Sequence, residues 1–238
     1  MFLSYEINIL TNGIRSGLDQ PAIVEGHSGN NQRTANGGPL PTTWYTSDLH
    51  LGHPFVAGLR GFEDVEAHDR LILNNLTSAL TANLQHGDTL WLMGDISSGW
   101  GPQERRALEL LDTTLAPLRD QGLSAHLIAG NHDSCHPLFT DSAAAQSRFL
   151  KVFDSVQPFQ YKQWNDQDVW LCHFPRPGFD HEAMHSRHDP LRLDVPHLLH
   201  GHLHSATPVT APGQVDIGVD AWDLAPVEES QVMELVFG

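Results

Sequence analysis

Cysteine is scarce in this chain: Cys135 and Cys172 are the two among 238 residues. Two thiols build no disulfide framework, and reduced thiols in a cytoplasmic protein are the expectation. Basic residues are few as well, 13 Lys and Arg against 29 Asp and Glu, for a formal net charge of −16. Such a surface repels phosphate backbones at long range and argues against broad nonspecific nucleic-acid binding, although divalent cations held in a cleft can reverse the local sign. No apolar run reaches the ~20 residues of a membrane span. The stretch MFLSYEINIL has neither a basic flank nor a small-residue cleavage site, so it does not read as a signal peptide. A soluble chain with no membrane partner is expected; the oligomeric state is not legible.

What is present is a globular composition, 40% hydrophobic, in a chain long enough for one large domain. Residues 1–42 read as an N-terminal extension. MFLSYEINIL is an edge strand or a packed arm, followed by a flexible tract, GHSGNNQRTANGGPLPTT, rich in Gly, Asn, Ser, Thr and Pro. The domain proper is expected over 43–238. Strands are expected at WYTSD (44–48), TLWLM (89–93), AHLIA (125–129), VWLC (169–172), PHLLH (196–200), QVDIGVD (214–220) and SQVMELVFG (230–238). Helices are expected over 65–86 and over 102–121, with Pro117 ending or kinking the second. The alternation suggests a layered α/β sandwich.

The residues that follow the apolar runs carry the chemistry. They are Asp48-Leu49-His50, Gly94-Asp95, Gly130-Asn131-His132-Asp133, His173, and His200-Gly201-His202-Leu203-His204. Each alone is more often a turn, a cap or a satisfied structural histidine. Five in this order, each at a strand end, are not. In open α/β sheets the ends of strands gather ligand sites, so the five are expected to converge. Carboxylates, imidazoles and an amide, with no thiolate, suit Mn²⁺, Fe²⁺ or Zn²⁺. Seven donors (Asp48, His50, Asp95, Asn131, His173, His202 and His204) exceed what one ion takes from protein and match two ions sharing a carboxylate.

This series resembles the calcineurin-like metallophosphoesterases over about residues 44–224, and IGVDAWDLAPV (217–227) is similar to a small bacterial and phage branch of that family. The resemblance implies a four-layer α/β/β/α sandwich of mixed β-sheets flanked by helices, with a dinuclear centre at one edge. It implies that Asp48, His50 and His204 hold one divalent ion, that Asn131, His173 and His202 hold the other, and that Asp95 bridges them. Mn²⁺ is the first expectation, with Fe²⁺ or Zn²⁺ as alternatives. His132 would face the substrate as a general acid, with Asp133 fixing its tautomer. The implied reaction is hydrolysis of a phosphate monoester or diester by in-line attack of a hydroxide bridging the ions. A small phosphorylated substrate is favoured by the acidic surface, with nucleic acid as the other candidate.

Other residues give weaker signals. His53 and Arg176 are candidates for substrate contact; His200, His27, His68 and His136 read as structural or solvent-facing. Cys172 is expected in the core, and Asp220 and Trp222 have no assigned role. Two competing functions remain open. His181-Glu182-Ala183-Met184-His185 fits the His-Glu-x-x-His pattern of zinc proteases, which needs a long helix; Pro175, Pro177, Gly178 and Pro190 leave room for few turns. The other is a catalytically silent metal-binding scaffold of the same fold.

Overall fold

Thr, Trp, Tyr and Leu crowd the first apolar runs and favour a pleated, half-buried surface. In the computed structural model, which describes residues 40–99, 101–181 and 184–238, these runs are strands β1 (Thr43–Thr46), β2 (Thr89–Leu92), β3 (Ser124–Ile128) and β4 (Ser155–Gln157). They lie side by side and parallel, and β12 (Val227–Glu228) pairs antiparallel to the outer side of β1. A second mixed sheet contains β5 (Phe159–Trp164), β6 (Gln167–Cys172), β9 (Leu198–His200), β10 (Val209–Ala211) and β11 (Gln214–Asp216), in the order β10-β11-β9-β6-β5. Its three inner strands are parallel to one another. A small hairpin, β7 (Phe179–His181) and β8 (Met184–His185), stands outside both sheets. The helices are α1 (Pro54–Leu59), α2 (Val65–Thr81), α3 (Gly101–Arg119), α4 (Ser142–Phe149) and α5 (Glu229–Val236). Residues 41–238 cohere as one unit.

The two faces of the first sheet follow from period-two alternation. Leu90 and Leu92 join Ile72, Leu76 and Leu80 of α2 and Leu108, Leu111 and Leu115 of α3 in one core. Tyr45, Trp91, Met93 and Ile128 face the other way and join Val169, Leu171, Leu199, Val215 and Ile217 of the second sheet. The sheets therefore pack face to face, with helices on the first. The outer face of the second is covered differently. Cys172, Phe174 and Leu198 are packed by Leu191, Leu193 and Val195. That segment is a 3-10 turn (Asp189–Leu191) followed by irregular chain, so among the described residues no helix forms a fourth layer there. Pro190 and Pro196 deny it a helix, and its apolar residues fall on every second position.

Three expectations are corrected in detail. SQVMELVFG is a helix, α5, in which Val232 and Val236, four residues apart, are the buried pair. Its central apolar run, VMELVF, has no clear strand or helix period, and the short strand of this region, Val227–Glu228, precedes it. The strand in QVDIGVD ends at Asp216 and turns into a 3-10 helix at Val219–Ala221. Pro117 does not end α3, which runs two residues further, to Arg119. The expected extension 1–42 falls outside the described residues up to position 39, as do His27 and Glu182. Among the described residues no helix is long and apolar enough to cross a membrane.

Candidate metal centre

β1, β2 and β3 are parallel, and so are β6 and β9, so each sheet sends its donor-bearing loops out at its carboxyl ends. Main-chain bonds stitch the loops together: Asp48 N donates to Gly94 O at 3.0 Å, His50 N to Asp95 O at 3.1 Å, and Gly201 N to His173 O at 3.0 Å. Val219 N donates to Ser47 O at 3.1 Å and ties the second sheet to the first. The backbone here is unusual. Among the described residues ten non-glycines have positive φ, and Asp48 (57°), His50 (48°), Asp95 (54°), His202 (71°) and His204 (51°) are five of them. Non-glycine residues resist this region, and such strain concentrates at functional sites.

Glycine makes room for the carboxylates. A Cβ on Gly130 would stand 2.2 Å from Asp95 Oδ1, and one on Gly201 would stand 2.3 Å from Asp48 Oδ2. Asp48 and Asp95 are buried. Asp48 also accepts from the His202 amide at 3.0 Å, and Asp95 accepts from the His132 amide at 2.8 Å.

Four imidazoles share one arrangement. His50 donates from Nδ1 to Ser97 O (3.2 Å), His173 to Met93 O (2.8 Å) and His132 to Ser98 O (3.0 Å), while His204 Nδ1 lies 3.0 Å from Asp220 Oδ2. Carbonyls and carboxylates only accept, so the proton of each neutral ring sits on Nδ1 and the lone pair on Nε2. The Nε2 atoms point inward. His173 Nε2 is 3.5 Å from Asp95 Oδ2 and 3.2 Å from Asn131 Oδ1; His50 and His132 Nε2 are each 3.9 Å from Asp95 Oδ2; His204 Nε2 is 3.8 Å from Asp48 Oδ1. His50 and His204 bring their Nε2 atoms within 3.0 Å of each other. Two lone pairs at that distance repel unless a proton or a cation is shared between them.

Asp48, His50 and His204 thus form one group that could hold a metal ion, and Asp48, Asp95 and His173 form another. Asp48 is the carboxylate common to both groups, whereas Asp95 was the one expected to be shared. The charges fit a cation. Burial raises the carboxyl of Asp48, against the pull of His173 and His204. Burial would raise Asp95 too, but His173, His132 and His50 hold it well below the usual range. His173 is raised because Asp95 and Asp48 outweigh its burial, and His50 is lowered by burial and by His204.

The other expected site residues divide. His132 stands at the rim, its side chain 41% exposed. Asp133 does not orient His132; the Ser98 carbonyl does. Asp133 instead accepts from the amides of Gly130 (2.7 Å), Asp95 (2.9 Å) and Ile96 (3.1 Å) and clamps the β2 and β3 loops together. Burial, then the charge of Asp95, lifts its pKa to about 7. The His202 ring lies edge-on to His173 with centroids 5.3 Å apart, and its Nε2 is buried 3.5 Å from Asp180 Oδ1. His53 is half-buried, 5.6 Å ring to ring from His50. Arg176 is turned elsewhere and donates to Pro212 O. His200 bonds Gly201 O and Thr210 Oγ1. His181 and His185 lie on the paired strands of the β7–β8 hairpin rather than on a helix.

Sequence reasoning missed Arg60 and Asp180 and left Asp220 without a role. Asp220 meets His204, and Arg60 bonds Asp220. Asp180 is buried against His202 and paired with Arg192. None stands at the end of one of the five metal-donor strands: Arg60 follows helix α1, Asp180 lies in the β7–β8 hairpin, and Asp220 lies in the 3-10 helix after β11.

No family model matches the chain. It is 33% identical over 210 residues to the Gene 66 protein of Mycobacterium phage L5, covering 83% of this chain and 95% of that protein. It is 34% identical over 205 residues to the Gene 66 protein of Mycobacterium phage D29, covering 82% and 96%. Among solved structures, the protein of unknown function AQ665 from Aquifex aeolicus shares the fold, with a TM-score of 0.59 at 18% identity over 82% of this chain and 100% of that one.

Proposed function

The chain belongs to the family of these mycobacteriophage gene 66 proteins, and we propose that it is a phosphoester hydrolase of the calcineurin-like metallophosphoesterase type, working with two divalent cations. The observation that carries this reading is the set of four imidazoles bound at Nδ1 to acceptor-only groups, with every Nε2 turned toward Asp48 and Asp95. A general polar cluster would mix donors and acceptors inward. This one presents only acceptors, which is what a cation requires.

Asp48, His50 and His204 would hold one ion. Asp95, His173 and Asn131, with Asp48 common to both groups and His202 beside them, would hold the other. Mn²⁺ is the first candidate for this oxygen and imidazole set, then Fe²⁺ or Zn²⁺. When bound, the cations would supply Lewis acidity toward a phosphoryl oxygen and bring the pKa of a water to ~7. The protein does the rest. His132, with Nδ1–H committed to Ser98, has Nε2 at the rim, where its doubly protonated form would deliver the Nε2 proton to the leaving oxygen and return to the neutral ring. Asp133 keeps the Asn131–His132 turn in place. His53 stands beside His50, the exposed Phe55 stands beside His53, and both would meet the group attached to the phosphate. A net charge of −16 favours a small phosphorylated substrate over a long polynucleotide.

The test uses metal-stripped protein reloaded with Mn²⁺ and assayed on p-nitrophenyl phosphate and bis-p-nitrophenyl phosphate. Turnover of either, lost in Asp95→Ala, is expected, and which ester is preferred assigns phosphatase or phosphodiesterase. Two ions bound with both esters untouched would instead favour a silent scaffold, and no ion bound would end the reading.

A further inference from the structure

Arg60 is a buried cation whose donors are all engaged. Its side chain is 4% exposed. Nε donates to Asp220 Oδ1 (2.8 Å) and Nη2 to Asp220 Oδ2 (2.6 Å) and to Asp48 O (2.8 Å). Nη1 donates to Leu49 O (3.2 Å) and meets His68 Nε2 (3.0 Å). These partners use all five N–H groups of a planar fork. His68 accepts at Nε2, so its Nδ1 donates to Asp69 Oδ1 at 2.9 Å, and Asp69 in turn accepts from Gly52 N at 2.9 Å. A buried arginine is tolerated only when so paired.

This network ends on the metal-binding groups. Asp220 accepts from His204 Nδ1, which fixes the tautomer that leaves Nε2 able to bind a cation. The same guanidinium grips the consecutive carbonyls of Asp48 and Leu49, within a backbone held at positive φ at Asp48 and His50. Asp69 holds Gly52, two residues past His50. One side-chain relay therefore reaches His204 through Asp220 and the Asp48 loop through two carbonyls, while the His50 ring itself is held by Ser97 O. The Asp95–His173 pair of the other group is set instead by main chain: Met93 O holds His173, and the His132 amide meets Asp95.

We propose that Arg60 and Asp220 are positioning residues for His204 and the Asp48 loop, acting chiefly on the cation site that contains His204 and much less on the one that contains Asp95 and His173, although Asp48 is common to both. This rests on the metal-centre reading above. Arg60 is too deeply buried to reach a substrate phosphate, and its work is done through Asp220 and two carbonyls.

The experiment measures Mn²⁺ binding to the metal-stripped full chain by calorimetry, and the visible absorption of the Co²⁺-loaded chain, for wild type, Asp220→Ala, Asp220→Asn and Arg60→Lys. Asp220→Ala is expected to weaken one ion about 10–100-fold while the other stays within about threefold, and to change the Co²⁺ bands of one site only. Asp220→Asn keeps an acceptor but no charge and should fall between wild type and alanine. Arg60→Lys keeps the charge but not the fork and should weaken the same ion. A general loosening would lower both ions together, and that result overturns the proposal, as does unchanged binding in Asp220→Asn and Arg60→Lys. If Asp220→Ala does not fold, those two variants decide by the same readout. A wild type that binds no ion overturns the metal-centre reading itself, which separates the two failures.

Discussion

His173 and His204 belong to the two candidate metal groups that share Asp48, and they are held in different ways. His173 is fully buried and its Nδ1 is held by a main-chain carbonyl, that of Met93. His204 lies at the mouth, its side chain 32% exposed, and its Nδ1 is held by a side chain, Asp220. The difference has a physical source. Met93 follows β2 in the interior of the first sheet, where a carbonyl past the last ladder bond is left free to accept. No such carbonyl meets His204, so a carboxylate sixteen residues later does the work. A deep ligand inherits its orientation from the sheet, whereas a rim ligand needs dedicated side chains.

That contrast breaks most severely at Gly94. Its φ is +100°, and an added Cβ would stand 2.5 Å from His173 Nδ1 and 2.7 Å from the Gly130 backbone. Gly94→Ala should therefore displace the main-chain anchor that no polar substitution can reach. Overpacking alone predicts a loss of about 1–3 kcal/mol in stability, or about 2–4 °C in Tm per kcal/mol. Metal binding at the His173 group should be lost, with the His204 group less affected, the mirror image of the Asp220 variants. Calorimetry on Mn²⁺ checks it. Equal loss of both ions would mean that the two groups do not have separate supports.

His132 sharpens the comparison next, because it is anchored like His173, by a carbonyl, yet exposed like His204. If it only lines the rim, His132→Ala leaves kcat unchanged. If it delivers a proton, kcat falls by about 10²–10⁴-fold while both ions remain bound. The second result is expected, and a more slowly departing leaving group should widen the gap between wild type and variant.

The strand ends were legible because their residue types are: an acid or an imidazole straight after an apolar run is conspicuous. So were β1, β2, β3, β6 and β9, whose runs are short and bounded by turns. What was not legible depends on tertiary approach. Arg60, at the end of α1, and Asp220, after β11, look like ordinary charged residues until 160 positions of chain separation close to 2.6 Å. Asp133 was expected to serve its neighbour His132; in the fold the three amides around Asp133 take both its oxygens, and Ser98 O holds the ring. The C-terminal run was misassigned for want of a period. The outer covering of the second sheet was expected to be helical from the resemblance alone, and two prolines make it irregular.

The smallest predicted effect comes from a second pair, Arg60 and Arg176. By position in the sequence Arg176 is the better candidate for substrate, three residues after His173. In the fold its Nη2 donates to Pro212 O and its amide to Gln214 Oε1 at 2.9 Å. Gln214 donates to Thr210 Oγ1 at 2.9 Å, which meets His200 Nε2 at 2.7 Å. Arg176 thus belongs to a lateral network that fastens β10 and β11 and stops at His200, on the strand behind the Gly201–His204 turn. Arg176→Ala should lower stability by about 0.5–1.5 kcal/mol for the lost bond and leave kcat/KM and metal affinity where they were. A fall in kcat/KM at constant stability would mean that Arg176 leaves Pro212 when substrate binds. The acidic surface would then have a cation to offer phosphate from the second sheet, and the comparison between the arginines would reverse.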